Sequence, residues 1–456
     1  QSMIPEEFKK KERYKTAFFC KFNIVETFLY LKYRHMEMLH QVTNQANRTN
    51  QKHQYYKCME KNCVNMGKTF KMIDLIAENA INNGATPGCQ VLVAKGGRVV
   101  YQKSFGYFDY DSSVAITNNK LYDIASITKV MASTMLLMRF YELGEISLDK
   151  TLQHYLGARV DSSKMDLSIR EILTHQSGLS AWIPFYKYTL TQGGMCDSNY
   201  CYAPNEFFNL KVADSLFVQN GIKDTIFKMI NQSKMKTRGK YLYSDLGYYY
   251  MLKVLRNIQE NAYQDYLYAN FYNSLGMSHT LYNPLNVYSK KQIVPTENDN
   301  YFRQQLIHGY VHDMGAAMMG GVAGHAGIFS NTNDVAKLFQ MLLQNGSYNG
   351  INYFEHETVK LFTSKQYESN RKGLGFDKPE TRKGVPGPLI SDVSPQTFGH
   401  TGFTGTCVWA DPEHELIYVF LSNRVNPSAE NKKLIRMNVR TDILQVVYDD
   451  LLNKTP

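Results

Sequence analysis

The alternation of apolar and polar residues predicts two β-hairpins that lie far apart in the chain. One consists of two β-rich runs, residues 90–94 and 98–101, which flank a Gly-Gly pair. The other consists of residues 406–410 and 416–422, which flank a short polar turn. Two β-rich runs around such turn residues are a strong hairpin signal, and the strands of a hairpin are antiparallel. We therefore expect antiparallel strands near both ends of the folded region.

A helical period dominates the rest of the folded region. Residues 73–81 form a helical pattern that ends before Gly84, and a final helix is expected from about residue 432 to residue 452. Between the hairpins, the pattern is helical with long loops that contain Tyr and Gly. The predicted fold class is α/β of the α+β type. It has an antiparallel sheet built from both chain ends and flanked by helices, with an inserted mainly helical region at about 130–285.

Composition separates an N-terminal extension from this region. Residues 1–70 are polar and hold 13 Lys and Arg against 6 Asp and Glu, so they carry +7 of the net charge of +10. We expect a basic extension at 1–70, helical or partly disordered, and one folded domain at 71–456. That domain carries only about +3, which does not favour nucleic-acid binding. A membrane or polyanion contact through the extension is an alternative that rests on these residues alone.

A signal-like segment and the cysteines are the features of the sequence that are informative about the cellular compartment of the protein. Three Lys precede a partly apolar stretch at 16–33, which is the order of a secretory signal, but Lys21 and Glu26 interrupt the stretch. No convincing signal peptide is therefore predicted. The sequence contains no run of about 18 apolar residues, so no transmembrane helix is predicted either. The seven cysteines lack the spacing of a zinc site or a redox motif. Whether Cys196 and Cys201 form a disulfide stays open.

The first candidate for chemistry is Ser126, which Lys129 follows three residues later. Apolar residues continue the helical pattern, so Ser126 is expected in the first turn of a helix with Lys129 on the same face. A serine hydroxyl is a poor nucleophile until a base takes its proton, and a neutral lysine amine can do so. The positive end of the helix would favour both a neutral amine and a negative oxyanion beside it. Alone, Ser-x-x-Lys is a weak motif, because many helices contain it by chance.

Further sequence elements follow in a fixed order, with Tyr-Ser-Asp at 243–245 and His-Thr-Gly at 400–402. Together with Ser-x-x-Lys they resemble the serine β-lactamase and penicillin-binding-protein superfamily, whose members carry Ser-x-x-Lys, Tyr-x-Asn or Ser-x-Asn, and Lys-Thr-Gly. The chain looks most like the class C-like branch, in which His-Thr-Gly is common and which also contains esterases and D-aminopeptidases. The stretches at 172–179 (Ile-Leu-Thr-His-Gln-Ser-Gly-Leu) and 320–330 are similar to that branch too. The resemblance covers roughly residues 72–452.

The resemblance implies catalytic roles for Ser126, Lys129 and Tyr243. Ser126 would attack the acyl carbon, while Lys129 and Tyr243 would share the proton transfers and the phenol would pass a proton to the leaving group. The amide of Ser126 would provide part of an oxyanion hole. The substrate would be a small acyl compound or a peptide, and this chemistry needs neither a cofactor nor a metal.

Substrate-binding or oxyanion roles are implied for Asp245, His400, Thr401, Gly402 and Phe403. Strand backbone at Phe403 would complete the oxyanion hole. His400 and Thr401, just before Gly402, would face a carboxylate or a neutral polar group of the substrate. The resemblance also suggests a bacterial cell envelope or periplasm as the location.

The chain departs from the family pattern at two positions. Asp245 stands where the family usually has Asn, and its carboxylate would hold Lys129 by charge and favour the ammonium form over the base. His400 replaces a lysine, which removes a permanent positive charge and leaves room for esters or small amides as substrates. A class A register, with 244–246 as Ser-Asp-Asn, fails at its last position, so we prefer the register that uses Tyr243.

Histidines outside these motifs have weaker claims to a role. His312 with Asp313, and also His308, would either line the pocket or form a hydrogen-bonded structural pair, and both interpretations stay open. We interpret His325, which lies between glycines, as a residue that braces its loop, and we favour a non-catalytic role for His175, which lies in a helix-ending turn.

Two function classes are compatible with these motifs. The first is an acyl-serine hydrolase for a small ester, amide, peptide or β-lactam, with esterase or peptidase ranked above β-lactamase because of Asp245 and His400. The second is a catalytically silent scaffold that keeps the fold as a binding module. The presence of both Ser126 and Lys129 favours the enzyme.

Overall fold

The computed structural model describes residues 67, 69–191, 194–195, 198–259 and 263–451. The predictions made for residues 1–66, including the signal-like stretch, lie outside these residues, and so does Cys196 of the proposed cysteine pair. Among the helices that are described, none combines the length and the apolar character needed to cross a bilayer.

The described chain contains both helices and strands, and several of the strands have only two residues. The helices in chain order are α1 (69–82), α2 (Thr134–Glu142), α3 (Leu152–Leu156), α4 (Ile169–Leu173), α5 (Ile222–Gln232), α6 (Leu246–Ile258), α7 (Tyr263–Leu267), α8 (Met314–Met318), α9 (Thr332–Leu343), α10 (His356–Thr363), α11 (Lys433–Arg436) and α12 (Val439–Leu451). The strands are β1 (Gly88–Lys95), β2 (Arg98–Gly106), β3 (Tyr122–Asp123), β4 (Leu190–Thr191), β5 (Gly194–Met195), β6 (Tyr200–Cys201), β7 (Leu210–Ala213), β8 (Leu216–Val218), β9 (Leu281–Tyr282), β10 (Asn298–Asp299), β11 (Gln305–Leu306), β12 (Ile328–Ser330), β13 (Ser347–Tyr348), β14 (Ile351–Asn352), β15 (Phe398–Thr401), β16 (Cys407–Asp411) and β17 (Leu416–Ser422).

The main sheet joins the two ends of the domain, as the sequence predicts. Its strand order is β15-β16-β17-β1-β2, and every neighbouring pair is antiparallel. Both predicted hairpins are present, and β1 pairs with β17, so the first and last strands of the domain are neighbours. Gly96 and Gly97 close the first hairpin with φ values of 56° and 74°. Two successive positive φ angles match the right-handed twist of the strands and favour glycine at both positions.

Both faces of this sheet are buried along its inner strands β1 and β17, which explains why these two strands carry apolar residues at successive positions. Along β1, Val91 and Val93 belong to one core with residues of α1 and α12, while Leu92 and Ala94 belong to the other core with α2 and α9. Side chains of a strand alternate between faces, so a strand covered on both sides needs apolar residues at successive positions. The sheet is therefore the middle layer between two sets of helices.

The inserted region is mainly helical, as predicted, but it also contains short strands. Strands β6, β8 and β7 form a small sheet, and β4 pairs with β5. The final helix is also not continuous. It divides into α11 and α12 because Asn438 has a φ of 52°, a left-handed conformation that a helix cannot include.

A buried ion pair organises the loop that ends near the candidate site. Arg303 contacts the Asp299 carboxylate at 2.8 Å, and neither side chain is exposed to solvent. The Arg303 guanidinium also donates to the backbone carbonyls of Val311 and His312, each at 2.8 Å. The N–H of His312 in turn donates to the Asp123 carboxylate at 2.7 Å, just before Ser126 in the chain. The ion pair therefore fixes a loop that supports the segment leading to the candidate nucleophile.

We expect Arg303→Met to lower the free energy of unfolding by about 3–5 kcal/mol, because it leaves the Asp299 charge buried without its partner. Urea unfolding followed by circular dichroism would measure the loss. Lys360→Met is the control, because Lys360 lies on α10 in an exposed pair with Glu357, and its effect should stay within about 1 kcal/mol. A loss for Arg303→Met no larger than that of the control would contradict the structural role of this ion pair.

Candidate active site

Ser126 lies in a tight turn between strand β3 and a largely buried helix. Ala125–Ile127 form a 3-10 turn, and Lys129–Ser133 continue with π-helical geometry before α2 begins. The sequence predicts Ser126 in the first turn of a regular helix, and the turn that contains Ser126 is tighter than that. Ala125 has a φ of 48°, a left-handed conformation that residues with a Cβ rarely adopt. The Asp123 carboxylate holds this conformation, because it accepts the N–H of Ala125 at 2.8 Å. Strained backbone of this kind is common at functional sites.

The Ser126 hydroxyl contacts the two side chains to which the motifs assign proton transfer. Lys129 Nζ lies 2.8 Å from Ser126 Oγ, and the Tyr243 hydroxyl lies 3.0 Å from the same atom. The Lys129 side chain has no exposed area, and its Nζ also lies 3.4 Å from the backbone carbonyl of His325. The Lys129 amine and the Tyr243 hydroxyl therefore both lie close enough to Ser126 Oγ to exchange a proton with it.

Asp245 makes the contact that its charge led us to expect. Its Oδ1 lies 2.6 Å from Lys129 Nζ, in a pair in which the lysine side chain is fully buried and the Asp245 side chain is 19% exposed. The attraction between opposite charges at this distance holds the Lys129 side chain beside the carboxylate. Lys129 therefore stands between the Ser126 hydroxyl and a carboxylate.

The segment that contains Tyr243 lies just before α6, and it is fixed to the stretch at 172–181. The N–H of Ser244 donates to Nδ1 of His175 at 3.1 Å, and the Tyr243 ring lies against the His175 ring with centroids 4.4 Å apart. The Ser244 hydroxyl donates to the Ser180 carbonyl at 2.7 Å. Ser244 is thus used in holding the segment, whereas Tyr243 reaches Ser126. This geometry favours the register that uses Tyr243 over the class A register.

The third sequence element approaches the Ser126 turn at Gly402. His400 and Thr401 are the last two residues of β15, and Gly402 follows them. A Cβ on Gly402 would lie 2.5 Å from the carbonyl oxygen of Ile124, so only glycine permits this approach. The edge of the main sheet and the candidate nucleophile therefore meet at one glycine.

Phe403 does not lie on a strand, contrary to the prediction. Strand β15 ends at Thr401, and the N–H of Gly402 donates to the carbonyl of Thr406 at 2.8 Å, which closes a turn that includes Phe403. The Phe403 ring is 55% exposed and lies against the ring of His312 with centroids 5.5 Å apart. An oxyanion role for the Phe403 backbone stays a prediction.

His400 is buried and uncharged at neutral pH. Burial and the nearby charges of Lys372 and Lys129 lower the pKa of His400 to about 3. Its Nδ1 lies 2.6 Å from the Thr401 carbonyl, which identifies Nδ1 as the protonated nitrogen, and its Nε2 is a buried atom without a hydrogen-bond partner. His400 therefore does not restore the positive charge that a lysine would carry at this position.

The structure adds a group of charged residues that no sequence motif predicted. Lys372 is 2% exposed and pairs with Asp377 at 2.9 Å, and Arg371 donates to the same carboxylate at 2.7 and 3.1 Å. Lys372 Nζ lies 5.6 Å from the centroid of the Tyr243 ring. No spacing in the sequence relates this segment to the motifs, because only the folded chain brings it there.

The histidines outside the motifs form contacts that differ from the His312–Asp313 pair considered above. His312 contacts Glu297 rather than its neighbour Asp313, with Nε2 at 2.9 Å from the Glu297 carboxylate. Asp313 instead contacts Nε2 of His325 at 2.9 Å and caps α8 by accepting the N–H of Ala316. Adjacent residues point in different directions here, so one predicted pair becomes two separate pairs. The loop-bracing interpretation of His325 agrees with its contacts.

No metal centre is evident in the part of the chain that the structure describes. No group of three or more His, Cys, Asp or Glu side chains is arranged there to hold a metal ion. The Ser126 site offers instead a hydroxyl, an amine, a phenol and a carboxylate in direct contact.

Comparison with protein families identifies a match over most of the domain. The model of the family described as Beta-lactamase matches residues 73–439. The protein named "Putative D-alanyl-D-alanine carboxypeptidase" in Escherichia coli (strain K12) is 33% identical over 377 residues, which cover 76% of this chain and 81% of that protein. The protein of the same name in Salmonella typhi is 33% identical over 386 residues, which cover 78% of this chain and 83% of that protein.

Solved structures share the fold at low sequence identity. A class C beta-lactamase in complex with cefoxitin is 17% identical, with a TM-score of 0.59 and coverage of 83% of this chain and 99% of that chain. A penicillin-binding protein homologue from Caulobacter crescentus is 16% identical, with a TM-score of 0.59 and coverage of 84% and 97%. These similarities bear out the class C-like fold that the motifs predicted.

We expect Tyr243→Phe to lower kcat/KM for an alkyl ester by about 100-fold or more, because the variant keeps the ring but loses the group that exchanges a proton. Steady-state hydrolysis would measure this loss. Tyr250→Phe is the matched control, because Tyr250 is a buried tyrosine whose hydroxyl donates to Asn231 at 2.7 Å, whereas the hydroxyl of Tyr243 contacts Ser126. A Tyr243→Phe variant that stays within about 3-fold of wild type would exclude the proton-transfer role.

A second prediction concerns stability in acid. The pKa of His400 is about 3 in the folded protein, against about 6.5 in an unfolded chain. Between these pH values the unfolded chain binds more protons, so stability falls as the pH drops below about 6.5, by up to about 1.4 kcal/mol per pH unit from this residue. Urea unfolding between pH 7 and pH 4 should show a smaller loss for His400→Gln than for wild type. Equal losses would show that His400 titrates normally.

Proposed function

The chain belongs to the beta-lactamase family, and on that premise we propose that it is a serine hydrolase that forms an acyl-enzyme on Ser126. One observation carries the proposal: Ser126 Oγ lies 2.8 Å from Lys129 Nζ and 3.0 Å from the Tyr243 hydroxyl. A nucleophile needs a proton acceptor within hydrogen-bond reach, and the leaving group needs a donor nearby. Both are present, and both come from positions that match the family motifs.

The proton transfers proceed through the Lys129–Asp245 pair. Lys129 first passes a proton to the carboxylate of Asp245, and the resulting neutral amine takes the Ser126 proton as Oγ attacks the carbonyl carbon. The tetrahedral intermediate then expels the leaving group, which takes a proton from the Tyr243 hydroxyl. Lys129 returns a proton to Tyr243 and recovers one from Asp245. The net result is the transfer of one proton from Ser126 to the leaving group, and the carboxylate makes a paired lysine usable as a proton carrier.

The proposed substrates are small esters or peptides, ranked above β-lactams. The neutral His400 removes the fixed positive charge that the family pattern places at this position, which favours acyl groups that do not depend on it. The name of the relatives in Escherichia coli and Salmonella typhi, which refers to a D-alanyl-D-alanine carboxypeptidase, supports peptides as one candidate class. A bacterial envelope location is kept as a proposal on the sequence resemblance.

One observation favours a second candidate, the silent scaffold. The Asp245 carboxylate lies 2.6 Å from Lys129 Nζ, and an ammonium held in this way cannot accept a proton. If the carboxylate never accepts the proton that Lys129 must release, Ser126 stays unreactive. The same contact thus supports either a relay or a locked ion pair, and reactivity decides between them.

Intact-protein mass spectrometry tests the proposal directly. Wild type and Ser126→Ala are mixed separately with a penicillin and with an activated phenyl ester. We expect a mass increase of one acyl group on wild type and none on Ser126→Ala, and faster addition from the ester than from the penicillin. The control is Ser133→Ala, which removes a buried serine hydroxyl that contacts the Gly324 carbonyl at 2.8 Å and should acylate like wild type.

The outcomes separate the candidates. Faster addition from the penicillin would reverse the ranking of substrate classes and identify an enzyme that recognises penicillins. A folded wild type that gains no mass and turns over neither compound would place the silent scaffold first.

A further inference from the structure

The ring of Tyr243 lies near two lysine side chains that come from different parts of the chain. Lys129 Nζ is 5.1 Å from the ring centroid, and Lys372 Nζ is 5.6 Å from it. Lys129 belongs to the Ser126 helix, whereas Lys372 belongs to the loop between α10 and β15. The role described for Tyr243 involves only Lys129, so the second lysine calls for a separate explanation.

Lys372 is held in place by a carboxylate that is itself fixed to the main sheet. Asp377 pairs with Lys372 at 2.9 Å, and it exchanges two backbone hydrogen bonds with Gly399 of β15, at 2.8 and 3.0 Å. Gly399 directly precedes His400, so the arrangement brings Lys372 to the strand whose lysine the family pattern would supply. Lys372 is also 2% exposed, so its charge acts within the protein interior.

The charges around Lys372 leave an excess of positive charge. Asp377 is shared between Lys372 and Arg371, which donates two hydrogen bonds to it. One carboxylate thus faces two cations, whereas the Asp245 carboxylate faces the single cation Lys129. Burial lowers the pKa of Lys372, and the adjacent Asp377 opposes that shift.

We propose that Lys372 is a positioning residue that acts through Tyr243 and supplies the positive charge that His400 does not carry. The inference rests on the proposed function. When Tyr243 protonates the leaving group, its O–H bond breaks, a bond forms between the proton and the leaving group, and the electron pair stays on the phenolate oxygen. A fixed ammonium nearby stabilises that phenolate and makes Tyr243 a better acid.

Two esters with the same acyl group and different leaving groups test this role. A p-nitrophenyl ester releases a stable phenolate that needs no proton, whereas an ethyl ester releases an alkoxide that must be protonated. Both give the same acyl-enzyme, so kcat/KM compares the acylation steps. We expect Lys372→Met to lower kcat/KM by about 10- to 100-fold for the ethyl ester and by less than about 3-fold for the p-nitrophenyl ester. A structural defect would lower both values equally.

The variants separate a loss of activity caused by misfolding from a loss caused by removal of the Lys372 charge. Lys372→Met should fold, because Asp377 keeps its two hydrogen bonds from Arg371. Lys372→Arg retains the charge and should therefore keep the wild-type ratio of kcat/KM between the two esters. Lys164→Met is the matched control, because Lys164 is a buried lysine that donates to the carbonyls of Asn231 and Ser233, and neither ester should be affected.

Lys372→Gln provides a second neutral variant if Lys372→Met does not fold. Equal losses on both esters in the neutral variant, or no loss on either, would overturn the role of Lys372. A wild type that hydrolyses only the p-nitrophenyl ester would overturn it as well, because no leaving-group protonation would then occur. A wild type that reacts with neither ester and acquires no acyl group at Ser126 would reject the proposed function itself.

Discussion

The burial of Lys129 is the constraint on which the candidate site depends. A fully buried lysine is costly unless its charge is paired and its hydrogen bonds are satisfied. Its partners here are the Ser126 hydroxyl, the Asp245 carboxylate and the carbonyl of His325. These groups come from three separate segments of the chain. The segments must therefore converge before the lysine can be buried, which ties the assembly of the site to the stability of the fold.

The topology brings these segments together around one short strand. Strand β3, which leads into Ser126, pairs with β12, the strand that follows the Gly-rich stretch containing His325. The Tyr243 segment enters at the start of α6, and the main sheet contributes β15, which reaches the Ser126 turn through Gly402. The sheet and the inserted helical region thus each supply part of the site. Neither part of the domain would form it alone.

Local patterns were predicted well from the sequence, and contacts between distant segments were not. The hairpins and the helix at 73–81 follow from turn residues and periodicity, which act over a few neighbouring positions. The turn at Phe403 and the break at Asn438 depend on single backbone conformations that these patterns do not encode. The catalytic motifs were recognisable because their spacing is shared with a family. Lys372 belongs to no motif, and only its bond to Asp377 and the contact of Asp377 with β15 place it near Tyr243.

The two departures from the family pattern change the charge of the site in the same direction. An Asp at position 245 adds one negative charge where an amide is usual, and a neutral His400 removes one positive charge where lysine is usual. Without compensation, the phenol at Tyr243 would face a more negative surrounding and would release its proton less readily. Arg371, Lys372 and Asp377 together carry one net positive charge, and Lys372 Nζ lies 5.6 Å from the centroid of the Tyr243 ring. The site can therefore be understood as one balance of charges rather than as two isolated substitutions, and a substitution at 245 or 400 should be interpreted together with the state of Lys372.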